Sequence, residues 1–418
     1  MWDGIIVGGG LAGLLAGIRA SERGKRILII SEGVGSLTYS SGVMDFGDVE
    51  QLVNQEKHPY SLLGERAVRS GIEYFQTLFP EYQENWGASP QVLTPLGTPR
   101  KAGIVPKGLN AGALQDAQRI VLVVPEGLKD FFPEVIKSNL ERSYPRSIVV
   151  LYPLRIAKFE PWHELGKSVA GMDYAKYWRS VQGIKLLNDF LDRLAQEMAS
   201  EFYEANVIQG GSAIQRNAGN GKSVVVFPGL VTSFSKALEK VIAEAPFPVV
   251  ELTAFPPSAS GHTLYEGLKR RFRGLGGELL VGSGVKHVER HGNRCHKVII
   301  QSKGKDTAFT SHSFILATGG IFGGGIEVTP EVVWERAFGL PLFIPTAWTS
   351  AEFLGEQPYA RIGLEVDGEL RPFDSQSNQV ILENVRVVGR LLAHWDPWVE
   401  HCGGGVSLAS GWFAGEKI

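Results

Sequence analysis

Cysteine is almost absent: Cys295 and Cys402 are the two in 418 residues. Two thiols cannot ligate a four-cysteine zinc site or an iron–sulfur cluster held within one chain. They suggest no disulfide framework either, so a reducing compartment is the expectation and no resident metal is expected. An excess of one charge is also missing. Lys and Arg number 42 against 44 Asp and Glu, a formal net charge of −2, which offers no basic stripe for a nucleic acid. Long apolar runs are lacking as well. An uncharged, largely apolar stretch near the start, residues 5–18, is 14 residues, too short to span a bilayer. Asp3 stands where a basic lead-in would precede an export signal, so neither export nor a transmembrane helix is expected. At 44% hydrophobic and 21% charged residues the composition is that of a globular protein, and the length suggests about two or three domains.

Glycine is what the chain has in abundance. Its 51 glycines are about twice the usual share of 7%, and many fall in a few clusters. The first cluster follows a short apolar strand at residues 4–7 and opens a helical stretch at 11–23, with a second strand at 27–30. Strand, glycine turn, helix, strand is the frame of a dinucleotide-binding unit. In that frame Gly8 permits the tight turn, Gly10 lets the backbone approach a pyrophosphate, and Gly13 lets helix and strand pack closely. The helix N-terminus adds partial positive charge. Glu32, nineteen residues past Gly13, stands where a carboxylate would accept ribose hydroxyls, and Ser31 is a rival for that position.

Two further segments, far along the chain, resemble parts of FAD-linked reductases. Residues 313–320, with Thr318 and Gly319, resemble a strand end of those flavoproteins. Residues 384–389, ending in Gly389, resemble the strand that reaches the isoalloxazine ring. Gly403, Gly404 and Gly405 then open an apolar helix, whose N–H groups would face the ring edge where negative charge gathers on reduction. Ser41 and Gly42 suit phosphate contact, and Val285 suits a strand that holds adenine. The glycine turn favours FAD, with FMN as the alternative. No histidine lies between Glu32 and Gly47, so non-covalent binding is expected. The fold class is therefore α/β: a Rossmann-like FAD/NAD(P)-binding flavoprotein fold with an inserted α/β region. Residues 1–53 and 261–418 form the two parts of the nucleotide domain, and residues 54–260 the insert. Within the insert, helices are expected at 64–79, 126–144 (interrupted near Pro133) and 232–244, a mainly helical stretch at 174–204, and strands at 119–124, 147–152, 223–227 and 249–252. Residues 217–222 and 302–306 read as turn-rich links.

Several motifs together resemble one family. His58-Pro59-Tyr60-Ser61-Leu62-Leu63-Gly64, Leu93-Thr94-Pro95-Leu96-Gly97-Thr98, Phe255-Pro256-Pro257-Ser258, and Asp396-Pro397 followed by Cys402-Gly403-Gly404-Gly405-Val406 are similar to the B subunit of anaerobic glycerol-3-phosphate dehydrogenase. The resemblance implies a flavin-dependent oxidoreductase active within a multi-subunit enzyme that converts sn-glycerol 3-phosphate to dihydroxyacetone phosphate. It implies a catalytic flavoprotein subunit and an iron–sulfur subunit that anchors the pair to the cytoplasmic face of the inner membrane, where electrons pass to quinone. The family is generally assigned FMN, whereas the glycine turn argues for FAD. Hydride removal from a phosphorylated alcohol needs a cationic clamp and a base. Arg390 is the best-placed cation, and His394 and Arg100 are further candidates. Two other readings remain: a stand-alone reductase of the fumarate-reductase type acting on another small acid, and a non-catalytic docking or relay subunit.

Overall fold

The computed structural model describes residues 1–84, 86, 91–207, 222–229, 234–302 and 304–418. The chain opens with strand β1 (Trp2–Val7), helix α1 (Leu11–Glu22) and strand β2 (Ile27–Ser31). Ile5, Ile6 and residues 27–30 are apolar and buried, as in a parallel strand covered on both faces. Helices α2 (Pro59–Leu63) and α3 (Glu65–Leu78) follow. On α3 the buried residues Val68, Ile72, Phe75 and Leu78 recur at helical spacing.

The next stretch builds a second sheet. It contains β3 (Gln91–Leu93), β4 (Pro99–Lys101), β5 (Arg119–Pro125), α4 (Pro133–Ser143), β6 (Ile148–Leu154), α5 (Gly171–Trp178), α6 (Val181–Val207), β7 (Ser223–Pro228), α7 (Lys236–Glu244) and β8 (Val249–Leu252). The chain then returns through α8 (Ala259–Gly274), β9 (Glu278–Val281), β10 (Val285–His291), β11 (Arg294–Ser302), β12 (Lys305–Leu316), β13 (Val385–Val387) and α9 (Gly403–Glu416).

Two compact units result. The first holds residues 1–38, 44–80 and 263–418, the second residues 39–43 and 81–262. In the first, the strand order is β9-β2-β1-β12-β11-β10, with β13 also paired to β12. β9, β2, β1, β12 and β13 are parallel, while β12, β11 and β10 form an antiparallel meander. In register, Val7 faces both Ile30 and Leu316, so three strand ends finish together. In the second unit the order is β4-β3-β8-β7-β5-β6, parallel except for the edge pair β3 and β4. Apolar side chains cover that sheet on both faces: Val121, Trp178, Phe190 and Phe227 on one, and Ile120, Ile136, Leu140 and Val224 on the other.

The first unit is a Rossmann-like flavoprotein fold, and the second is α/β. The division differs from the one expected at residue 53. Residues 44–80 belong to the first unit because α3 lies directly on α9: a Cβ on Gly71 would stand 2.6 Å from the Ala409 Cα. The helix expected at 126–144 begins only at Pro133. Gly127 and Asp130 take positive φ values of 67° and 56°, so residues 126–132 form a loop. The stretch at 174–204 is two helices, α5 and α6. The link at 217–221 and the helix start at 232–233 lie outside the described residues. Residues 302 and 305–306 belong to the β11–β12 pair.

Candidate functional site

The carboxyl ends of β1, β2, β9 and β12 converge on a cavity of about 200 Å3 in the first unit. Its wall includes Gly8, Gly9 and Gly10 after β1, Ser31 and Glu32 at the end of β2, and Val285, Thr318 and Gly319. From β1 the chain passes to β2 on one side, while β12 lies on the other. The crevice between β1 and β12 is thus the place where the winding of the sheet reverses, the usual ligand position in such sheets.

The turn itself follows from its glycines. Gly8 has φ of 113°, which L side chains rarely adopt, and its N–H donates to the Ile30 carbonyl at 2.8 Å. A Cβ on Gly13 would fall on the Gly8 carbonyl oxygen, so the helix can approach the turn only without one. Gly10 is different. A Cβ there would meet nothing within 4 Å, because that side faces open space. No side chain caps α1, so its first-turn N–H groups are left for an anion at this mouth. On the far wall the Thr318 hydroxyl is buried without a hydrogen-bond partner. An uncapped helix start, a bare glycine wall and an orphaned hydroxyl together fit the pyrophosphate and ribitol of a dinucleotide flavin.

Ser31 and Glu32 have distinct tasks. The Ser31 hydroxyl accepts the Gly9 N–H at 3.2 Å and donates to the Gly33 carbonyl at 2.7 Å, which holds the turn together. Glu32 is exposed and pairs with Arg336 at 3.3 Å, and Arg336 also donates to the Gly324 carbonyl at 3.2 Å. Glu335 steadies that arginine's turn. Its buried carboxylate, pushed up by burial although backbone N–H groups oppose the shift, accepts from Ala337 at 2.8 Å and Phe338 at 2.7 Å. Arg336, Ser283, Gly284 and Gly323–Gly325 also line the cavity, and sequence reasoning missed them. The glycine cluster at 319–325 was the available signal for the last group. Arg336 had none.

Other expected residues lie elsewhere. Gly389, Gly403, Gly404 and Gly405 are not among the residues lining this cavity. Gly389 has φ of 68°, and its N–H donates to the Ser410 hydroxyl at 2.9 Å. The Gly405 N–H donates to the Asp45 carbonyl at 2.9 Å, and a Cβ on Gly404 would stand 2.6 Å from that of Met44. This glycine run packs closely against residues 44–46. Ser41 and Gly42 belong to the second unit, where the Gly42 carbonyl accepts the Tyr82 hydroxyl at 2.8 Å.

The three candidate catalytic groups are engaged. Arg390 donates to the Ala360 carbonyl and lies over the Trp395 ring at 5.2 Å, and burial lowers its pKa. Its Nη1 is buried and unpaired. His394 bonds to Glu365 at 2.8 Å. Arg100 is in the second unit and donates to the Lys101 carbonyl at 3.0 Å.

Burial depresses the His394 pKa below its ordinary 6.5 although Glu365 opposes the shift, so the fold favours the neutral ring. The unfolded chain then takes up that proton first as pH falls. Stability from this group should be complete above about pH 6.5 and decline below it. Denaturation midpoints at pH 7.5 and 5.5 should therefore differ less in His394→Asn than in the parent, asparagine being chosen because residue 394 has φ of 67°. An equal drop in both would remove His394 as the cause.

His58, Glu400 and Cys402 bring ligand-type atoms within 4.8 Å of one another. The His58 Nδ1 accepts the Tyr60 N–H at 3.0 Å, which puts the ring proton on Nε2, facing Glu400 at 3.3 Å. A metal on Nε2 would need that proton removed, and burial pushes the Cys402 thiol up, away from the thiolate form. In this arrangement the three side chains form a hydrogen-bonded brace.

The family model described as FAD binding domain matches residues 3–406. Two curated relatives, each named as the B subunit of anaerobic glycerol-3-phosphate dehydrogenase, align with the whole chain. The Yersinia enterocolitica protein is 27% identical with 98% of its length covered, and the Vibrio cholerae protein is 27% identical with 96% covered. Among solved structures, a 3-ketosteroid-delta4-(5alpha)-dehydrogenase from Rhodococcus jostii RHA1 aligns over 100% of this chain and 95% of its own at 11% identity, with a TM-score of 0.36. With a glycine-walled crevice at the ends of β1 and β12, and a family match that runs through all three segments of the first unit, the chain belongs to the FAD binding domain family, and its cofactor is FAD.

Proposed function

We propose that this chain is the flavin-containing B subunit of a quinone-linked glycerol-3-phosphate dehydrogenase, working with a catalytic flavoprotein subunit and an iron–sulfur subunit. The full-length likeness to relatives of that name carries the reading. FAD, when bound, supplies a two-electron acceptor. The chain's own contribution is to hold it: Gly8, Gly9 and Gly10 cradle the pyrophosphate, Gly13 lets α1 close on them, and Thr318 and Gly319 form the opposite wall. Ser31 keeps the turn in shape, Glu32 with Arg336 closes the ribose side, and Val285 lies beside the adenine.

Substrate oxidation is assigned to the catalytic partner, and this chain relays electrons. The observation favouring a relay is the engagement of the candidate clamp and base, Arg390 on Ala360 and His394 on Glu365. Among the described residues no helix is long and apolar enough to cross a membrane, so attachment to the inner face of the cytoplasmic membrane is assigned to the iron–sulfur partner.

The test is glycerol-3-phosphate-dependent dye reduction by the isolated chain, by the pair, and by the pair carrying Arg390→Ala. Little turnover is expected from the isolated chain and full turnover from the pair. Full activity of the isolated chain would overturn the relay assignment. A selective rise in KM with Arg390→Ala would instead place the substrate phosphate on its unpaired Nη1.

A further inference from the structure

The dinucleotide crevice of the first unit is bordered by a hairpin that stands outside the unit's main sheet. Its strands are Ile326–Val328 and Val333–Glu335, paired antiparallel. Two anchors fix where this hairpin leaves its arginine. The buried Glu335 carboxylate accepts the N–H groups of Ala337, Phe338 and Leu340, and the Arg336 N–H donates to the Gly325 carbonyl at 3.1 Å. Gly325 in turn lies against the wall that Gly319 forms, because a Cβ on Gly325 would fall on the Gly319 carbonyl oxygen.

Arg336 is thus held at the cavity wall beside Glu32, and these two are the charged groups among the described residues that line it. The guanidinium meets both carboxylate oxygens, Nη1 to Oε2 at 3.3 Å and Nη2 to Oε1 at 3.5 Å. Its Nε pairs with Glu327 at 3.1 Å, and Nη1 also reaches the Gly324 carbonyl at 3.2 Å. From the other side the Glu32 carboxylate rests on bare backbone: a Cβ on Gly284 would fall on its Oε1. An exposed ion pair of this kind contributes less than about 1 kcal/mol to folding. What the arrangement does is remove the rotamer freedom of one carboxylate at the end of β2, where a dinucleotide fold holds the adenosine ribose. A carboxylate already in place loses less entropy when it accepts the ribose hydroxyls.

We propose that Arg336 is a positioning residue for the adenosine half of FAD. Acting through Glu32, with Gly284 as the floor, it makes the crevice select FAD over FMN. FMN has no adenosine ribose, so it gains nothing from a fixed Glu32 carboxylate. This role rests on the assignment of FAD to this crevice.

Full-length protein stripped of flavin is titrated with FAD and with FMN, followed by flavin fluorescence. ADP, which carries the adenosine half alone, is titrated in competition with FAD. Arg336→Gln should weaken FAD and ADP about three- to tenfold, the cost of ordering one side chain, and leave FMN unchanged. Gly284→Ala, whose methyl group displaces the same carboxylate, should give the same pattern. In a Glu32→Ala background Arg336→Gln should cost nothing further, since its effect passes through Glu32. Parental affinity for FAD and ADP in Arg336→Gln would overturn this role. So would an equal loss for FMN, or an undiminished loss in the Glu32→Ala background, which are what a merely structural arginine would give. A parent that takes up no FAD at all would overturn the cofactor assignment and this role with it.

Discussion

Gly10→Val should yield a folded protein that retains no FAD, with affinity down more than about 100-fold. Residue 10 has φ of −80° and ψ of −170°, which any L residue adopts, and a Cβ there meets nothing within 4 Å. The substitution therefore asks nothing of the fold. What it fills is the space in front of the uncapped start of α1, where a pyrophosphate must come within hydrogen-bonding distance of backbone N–H groups. Two methyl groups there hold the phosphates away and leave the charges without donors. Gly13→Ala is the contrasting case. Its Cβ lands on the Gly8 carbonyl, so the turn itself must break and the variant should lose both flavin and cooperative unfolding. Visible absorbance of the purified proteins, release by acid, chromatography of the released flavin and thermal denaturation read all of this. The parent should release FAD non-covalently. Parental flavin content in Gly10→Val would move the cofactor away from this turn.

The second large effect is on stability. Gly405→Ala should destabilise the protein by about 2–3 kcal/mol, although alanine in a helix is ordinarily worth about 1 kcal/mol over glycine. A Cβ at 405 would fall on the Tyr60 hydroxyl and stand 2.7 Å from the Phe46 Cβ. Tyr60 is fully buried and donates to the Phe46 carbonyl at 3.0 Å, so neither neighbour can step aside. Tyr60→Phe alone loses that bond, about 1 kcal/mol. Combined with Gly405→Ala it removes the worst overlap, so the double variant should be more stable than the sum of the two losses. Urea denaturation of the apo and FAD-loaded forms would show it. If the glycine run instead served FAD directly, the apo-protein would be indifferent to Gly405→Ala and only flavin content would fall.

The contrast between these two glycines marks how far local pattern reaches. Gly8, Gly10 and Gly13 lie within one strand–turn–helix, so their roles follow from spacing alone, and the structure places them in that local arrangement. The glycines at 403–405 carry the same pattern, a glycine run opening a helix. Their role depends on Met44, Phe46 and Tyr60, more than 300 residues earlier in the chain. Arg336 was invisible for the same reason. An isolated arginine acquires meaning only when its turn and the end of β2 meet around Glu32, a pairing between residues 304 positions apart.

By itself, then, the amino-acid order determined what short-range stereochemistry can determine. This includes the opening βαβ unit, the dinucleotide turn, the parallel apolar strands, and the exclusion of four-cysteine metal sites. Tertiary structure decided the rest. It assigned residues 44–80 to the first unit through the contact of α3 with α9, and it turned residues 126–132 from an expected helix into a loop. It also set the strand order that puts a winding reversal between β1 and β12. The physical reason is that a turn is specified by the dihedral freedom of its own residues. A close approach or a cavity is specified by which distant side chains fill the same space, and no local pattern records that.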